Sequence, residues 1–134
     1  MRSLLFILGM VVPSLGMADT WITMGFTEHS NKSKEYCEVN PGVSHDWRYG
    51  SIRTFVGAHG NSYCQASLVV GAAWLPLTYW RVSGGVTAMV LTGYEERNLT
   101  PAGALALSYD EKKMGVDVAW VPGYLVHIRY RFAF

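Results

Sequence analysis

Outside its first 20 residues the sequence lacks any long apolar run, although 50% of its residues are apolar. No later run approaches the ~20 residues that a membrane-spanning helix needs. Charged residues are scarce, at 16%, and only two cysteines occur. A high apolar content without a spanning helix is unusual in a soluble protein. It is typical of a β-barrel whose outer face contacts lipid.

The chain also lacks a marked net charge. The first 18 residues contain one charged residue, Arg2, and without them the chain has ten basic and ten acidic residues. A strong basic excess is the mark of a nucleic-acid-binding domain, so we expect no nucleic acid as a partner. The sequence also lacks metal-ligand spacings, phosphate-binding glycine-rich loops and nucleotide fingerprints, and we expect no metal and no cofactor.

The first 18 residues, MRSLLFILGMVVPSLGMA, have the features of a signal peptide. Arg2 provides the positive charge, residues 4–12 are apolar, and small residues flank position 17. We predict cleavage after Ala18, so that residues 1–18 are a signal peptide and residues 19–134 are exported. A buried helix and an uncleaved anchor are the alternatives. Export would place Cys37 and Cys64 where a disulfide is permitted, but the spacing leaves their pairing open.

The rest of the chain alternates polar and apolar residues with the period of a β-strand. Eight such segments occur, at 19–27, 42–49, 51–60, 63–74, 79–91, 100–109, 113–120 and 124–134. Eight strands with short turns need on the order of 110 residues. The sequence therefore predicts an all-β, eight-stranded antiparallel transmembrane β-barrel. Strand direction predicts short periplasmic turns at 49–51, 76–78 and 110–112, and external loops at 27–40, 60–62, 93–98 and 122–123.

The last segment, LVHIRYRFAF, has two different faces. Val126, Ile128, Tyr130, Phe132 and Phe134 alternate with His127, Arg129, Arg131 and Ala133. We expect the aromatic face to contact lipid and the basic face to line a polar interior, where Asp117 pairs with the arginines. A strand that ends on Phe is typical of the signal read by the outer-membrane assembly machinery. We therefore expect a monomer in the outer membrane of a Gram-negative cell.

Strand direction brings His29 and Ser62 to the same external rim. A hydroxyl and an imidazole form a nucleophile and base pair when they lie within ~2.6–3.2 Å. The spacing alone predicts this pair only weakly, because a serine and a histidine in loops are usually just solvated. His59 is an alternative base, although lining the rim is its more ordinary role.

Six short motifs resemble, in their order, the lipid A palmitoyltransferase (PagP-type) family of outer-membrane enzymes. They are NPG at 40–42, GNS at 60–62, AAW at 72–74, GGVTA at 84–88, VPG at 121–123 and RFAF at 131–134. The resemblance implies a barrel that holds one acyl chain, entered sideways from the outer leaflet. It also implies acyl transfer from a membrane phospholipid to lipid A. His29 and Ser62 match two of the family's functional positions, and Asn61 stands where the family has Asp.

The resemblance also implies that an acyl chain ends on a glycine at the floor of the barrel. Counting from Ser62 places Ala73 at that position, beside Gly71, and the extra methyl predicts a shorter acyl chain. The enzyme hypothesis assigns Ser62 as nucleophile or hydrogen-bonding hydroxyl, His29 as general base and Asn61 as orienting group or oxyanion donor. The alternatives are a non-catalytic barrel with a structural or adhesion role and a lipid A deacylase, because a fold does not determine its function.

Overall fold

A computed structural model describes residues 17–30, 35–94 and 98–133. Most of the predicted signal peptide and Phe134 lie outside these residues, so cleavage after Ala18 stays a prediction. The described chain is all-β and forms one closed antiparallel barrel in which neighbouring strands pair in chain order and the last strand pairs with the first. The prediction of an eight-stranded antiparallel barrel is confirmed.

The barrel consists of eight strands. They are β1 (Met17–His29), β2 (Val39–Tyr49), β3 (Ile52–Gly60), β4 (Ala66–Tyr79), β5 (Val82–Leu91), β6 (Thr100–Asp110), β7 (Met114–Val121) and β8 (Leu125–Ala133). Across the residues that the structure describes, no helix is long and apolar enough to cross a membrane.

Side chains alternate between the interior and the outside of the barrel, because successive residues of a strand face opposite sides of the sheet. In β1, Trp21 and Thr23 are buried, whereas Ile22 is 53% exposed. In β8, Arg131 is buried and its neighbour Phe132 is exposed. The inward and outward faces predicted for the last strand are confirmed.

Three short turns lie at one end of the barrel and four loops lie at the other. The turn end has the connections at 50–51, 80–81 and 111–113, and the loop end has loop 1 (30–38), loop 2 (61–65), loop 3 (92–99) and loop 4 (122–124). Gly50 has a φ of 55°, a conformation in which glycine has no steric penalty. In loop 3, residues 95–97 lie outside the described part of the chain.

The predicted turn at 76–78 is wrong. β4 continues through Pro76 to Tyr79, and the turn is formed by Trp80 and Arg81. The register of β4 against β5 shifts between Trp74 and Leu77, which is a β-bulge. A bulge accepts a proline because the ladder hydrogen bond is already interrupted there.

Candidate functional site

His29 and Ser62 lie at the same end of the barrel, the loop end. His29 is the last residue of β1, and Ser62 is a buried residue of loop 2. Among the described residues no hydrogen bond joins the Ser62 hydroxyl to the His29 ring. His29 Nδ1 is buried and has no hydrogen-bond partner. The barrel thus places both groups at one rim without making them a hydrogen-bonded pair.

Loop 1 contacts both the end of β1 and loop 2. Cys37 forms a disulfide with Cys64, and the Cys37 N–H donates a 2.8 Å hydrogen bond to the Ser62 carbonyl oxygen. Tyr36, one residue earlier, stacks on the His29 ring with 4.1 Å between ring centroids. The sequence did not show whether these two cysteines pair. Their disulfide holds Tyr36, which contacts His29, close to the loop that carries Ser62.

Each of the four loops contributes one tyrosine to an aromatic cluster over the mouth of the barrel. Ring centroids lie 6.1 Å apart for Tyr36 and Tyr63, 5.5 Å for Tyr63 and Tyr94, and 6.4 Å for His29 and Tyr124. Burial, followed by nearby Tyr63 and Tyr124, raises the pKa of Tyr94. Sequence reasoning missed this cluster, although a tyrosine within or directly after every predicted external loop was a usable signal.

The amide group of Asn61 makes all of its hydrogen bonds with loop 2, loop 3 and the start of β4. Its Nδ2 donates to Ser67 Oγ at 3.0 Å and to the Gly93 carbonyl oxygen at 2.8 Å. Its Oδ1 accepts the backbone N–H groups of Tyr63 and Gln65. Asn61 thus shapes loop 2 and ties it to loop 3. It has no hydrogen bond left over for the His29 ring.

Below the rim the barrel contains a small apolar cluster. Phe55, Val69 and Leu91 form it, with Met89 and Tyr94 packed against them. Its three buried members lie at inward-facing positions of β3, β4 and β5.

The two predicted substrate-binding residues lie beside that cluster. Gly71 pairs with Phe55 across β3 and β4, and a Cβ on Gly71 would lie 2.7 Å from Phe55 Cζ. Ala73 is buried and pairs with Arg53, one step nearer the turn end. The Phe55 ring therefore covers Gly71, and Ala73 lies beneath it.

A charged network fills the half of the interior nearer the turn end. One carboxylate, Asp117, contacts three guanidinium groups, at 3.0 Å from Arg53, 2.6 Å from Arg129 and 2.8 Å from Arg131. Ser108 Oγ also donates to Asp117 at 2.7 Å. The predicted pairing of Asp117 with the arginines of β8 is confirmed, and its geometry is that of a structural network.

A hydrogen-bond chain links the interior to loop 1. His127 Nδ1 lies 2.7 Å from Thr27 Oγ1, and Thr27 Oγ1 donates to Asn40 Oδ1 at 2.7 Å. Because the Thr27 hydroxyl donates to Asn40, His127 must donate to Thr27. Asn40 Nδ2 in turn lies 3.4 Å from the Cys37 carbonyl oxygen. His59, the alternative base, lies on the inward-facing side of β3, the side that carries Arg53 and Phe55.

β6 extends beyond its ladder with β7 at the loop end of the barrel. Their ladder begins at Leu105 and Trp120 and ends at Asp110 and Gly115, so residues 100–104 of β6 have no partner in that ladder.

Within the described ranges, no group of three or more His, Cys, Asp or Glu side chains could hold a metal ion. The chain matches no model of a known protein family and no curated protein.

Proposed function

We propose that this protein is an outer-membrane acyltransferase that moves a fatty acyl chain from a phospholipid to lipid A or a related envelope lipid. The observation that carries the proposal is the link made by loop 1. Through the Cys37–Cys64 disulfide and the Tyr36 stack, loop 1 joins the strand end that bears His29 to the loop that bears Ser62. A nucleophile and a base held at one rim suit chemistry on lipid headgroups.

The proposed reaction is a double displacement. The Ser62 hydroxyl attacks the ester carbonyl of the phospholipid, and His29 accepts its proton. The ester C–O bond breaks, and the lysophospholipid oxygen leaves with the proton from His29. A hydroxyl of the acceptor lipid then attacks the Ser62 ester, His29 accepts that proton, and the proton returns to the Ser62 oxygen. Proton transfer needs a distance of ~2.6–3.2 Å, so the His29 ring and the Ser62 hydroxyl must come together on substrate binding.

The part of β6 that pairs with β5 but extends beyond the ladder with β7 favours a substrate that approaches from the side. A strand edge without ladder partners lets neighbouring strands separate more easily than a paired one. Residues 100–104 form such an edge near the loop end, and Pro101 has no N–H to donate. In this proposal the acyl chain enters there, and Phe55 turns aside to uncover Gly71, with Ala73 beneath.

The test is mass spectrometry of lipid A from Gram-negative cells that express the protein. We expect the wild type to add the mass of one acyl chain. Ser62→Ala and His29→Ala should each lower the modified fraction at least ~100-fold, because each removes a group that takes part in proton transfer. Ser51→Ala, at the turn end, and His45→Ala, whose ring contacts Thr20, are matched controls that should retain the modification. Retention in the Ser62 variant would overturn the proposal, and a loss of acyl mass would indicate a deacylase.

The side chains that occupy the interior favour a second candidate, a non-catalytic barrel. The Phe55 cluster lies below the rim, the Asp117 network lies nearer the turn end, and the Arg129 guanidinium of that network lies 5.7 Å from the centroid of the Phe55 ring. If lipid A is unchanged in cells where the barrel is folded, this structural role is the better description.

A further inference from the structure

Four inward-facing side chains near the turn end have buried polar atoms without hydrogen-bond partners. These atoms are Trp21 Nε1, Ser44 Oγ, both carboxylate oxygens of Asp46, and Arg53 Nε. The four residues are only 5%, 4%, 5% and 7% exposed, respectively. Buried polar groups in folded proteins are nearly always hydrogen-bonded, either to protein or to water. A cluster of unpaired ones therefore indicates a bound molecule.

These four residues are neighbours. Trp21 and Ser44 are direct partners in the ladder of β1 with β2, so their side chains share one face. Ser44 and Asp46 are two residues apart on that same face. Arg53 Nε lies 3.9 Å from Asp46 Oδ2, which is too long for a direct hydrogen bond but suits one bridging oxygen atom.

The mixture of donors and acceptors identifies the ligand. An anion would suit the N–H groups of Trp21 and Arg53 but would be repelled by the Asp46 carboxylate. A cation would suit Asp46 but would be repelled by the Arg53 guanidinium. Water both donates and accepts, and buried waters typically make about three hydrogen bonds.

We propose that the barrel interior contains a bound-water site formed by Trp21, Ser44, Asp46 and Arg53. The water donates to Asp46 and accepts from Arg53 Nε or Trp21 Nε1, and Ser44 Oγ completes its hydrogen bonds. Arg53 Nη2 also donates to Asp117 at 3.0 Å, so the water extends the charged network to β1 and β2. This inference does not depend on the proposed acyl transfer, because it concerns the opposite end of the barrel.

The experiment is water-selective NMR on the full chain folded in detergent micelles, with ¹⁵N-labelled tryptophan. We expect a cross-peak between water and the Trp21 Nε1 proton, assigned by its disappearance in Trp21→Phe. Ser44→Ala should keep that cross-peak, because Asp46 and Arg53 still hold the water. Its loss in Ser44→Ala would show that the serine hydroxyl proton produced the signal, and would overturn the proposal.

Two further comparisons separate water from an ion and from an indirect effect. Asp46→Asn replaces one acceptor oxygen with an NH2 donor and should weaken the cross-peak, whereas Glu35→Gln, at an exposed residue of loop 1 at the opposite end of the barrel, should leave it unchanged. If the intensity of the cross-peak changed equally in the two variants, the proposed water site would be contradicted. Exchange of sodium for choline, or of chloride for sulfate, should not move the Trp21 resonance, and a saturable shift would identify an ion instead.

Discussion

At the scale of single residues, Asn61 explains why a carboxylate is absent next to Ser62. Both of its amide hydrogens are donated, to Ser67 Oγ and to the Gly93 carbonyl oxygen. An aspartate has no hydrogens to give and would place a carboxylate oxygen against that carbonyl. We expect Asn61→Asp to lower the free energy of unfolding by about 1–3 kcal/mol, the cost of leaving buried partners unpaired.

Denaturant unfolding in detergent micelles, followed by tryptophan fluorescence, measures this cost. Asn98→Asp is the matched control, because Asn98 is an exposed residue of loop 3. An Asn61→Asp variant as stable as the wild type would show that loop 2 does not depend on these bonds.

The raised pKa of Tyr94 leads us to expect that the stability of the barrel depends on alkaline pH. Its pKa in the folded protein is raised by burial, so as pH rises above about 10 the unfolded chain releases this proton first. The folded state therefore loses stability with rising pH. We expect the drop in unfolding free energy between pH 9 and pH 11 to be smaller in Tyr94→Phe than in the wild type. Tyr79→Phe, at a residue that is 86% exposed, should behave like the wild type.

At the scale of elements, the Cys37–Cys64 disulfide fixes loop 1 to loop 2 at the rim. It closes a loop across a sequence separation of 27 residues, and chain-entropy estimates give about 3.5 kcal/mol for such a closure. We expect the Cys37→Ala/Cys64→Ala double variant to lose about that much unfolding free energy. If the proposed chemistry holds, it should also lose most lipid A modification, because Tyr36 and Ser62 would no longer be held together.

Reduction of the wild-type protein should reproduce both losses, and the double variant should not respond to reductant. A reduced wild type that keeps its stability would show that the loops are held mainly by the tyrosine cluster.

The elements also show what the sequence could and could not predict. Strand periodicity located all eight strands, because each strand has one face inside and one outside. The turn after β4 was misplaced because Pro76, a turn former, sits in a bulge, whereas Trp80 and Arg81 give no turn signal. At the rim, spacing brought His29 and Ser62 to one end, but the bonds of Asn61 depend on loop 3 and β4, which no local pattern reveals.

At the scale of the whole molecule, the outward faces of the strands are largely apolar and a charged network lies inside the barrel. Large apolar residues are exposed on the outer face of every strand, including Ile22, Trp74, Val86 and Trp120. Water-soluble monomers rarely expose continuous apolar areas of that extent. The inward-facing arginines are meanwhile buried in the Asp117 network. This inside-out arrangement is the one that a bilayer stabilises.

Tryptophan quenching by lipid tests that arrangement directly. Two variants, each with a single tryptophan and phenylalanine at the other positions, would be folded into vesicles whose acyl chains carry bromine. We expect the fluorescence of Trp120 to be strongly quenched, because its outward side chain is 47% exposed and would contact the acyl chains. Trp21, only 5% exposed inside the barrel beneath the Arg131 guanidinium, should stay bright in the same vesicles. If Trp120 stayed as bright as Trp21, the outer face would not lie in hydrocarbon, and a phospholipid could not reach the rim as proposed.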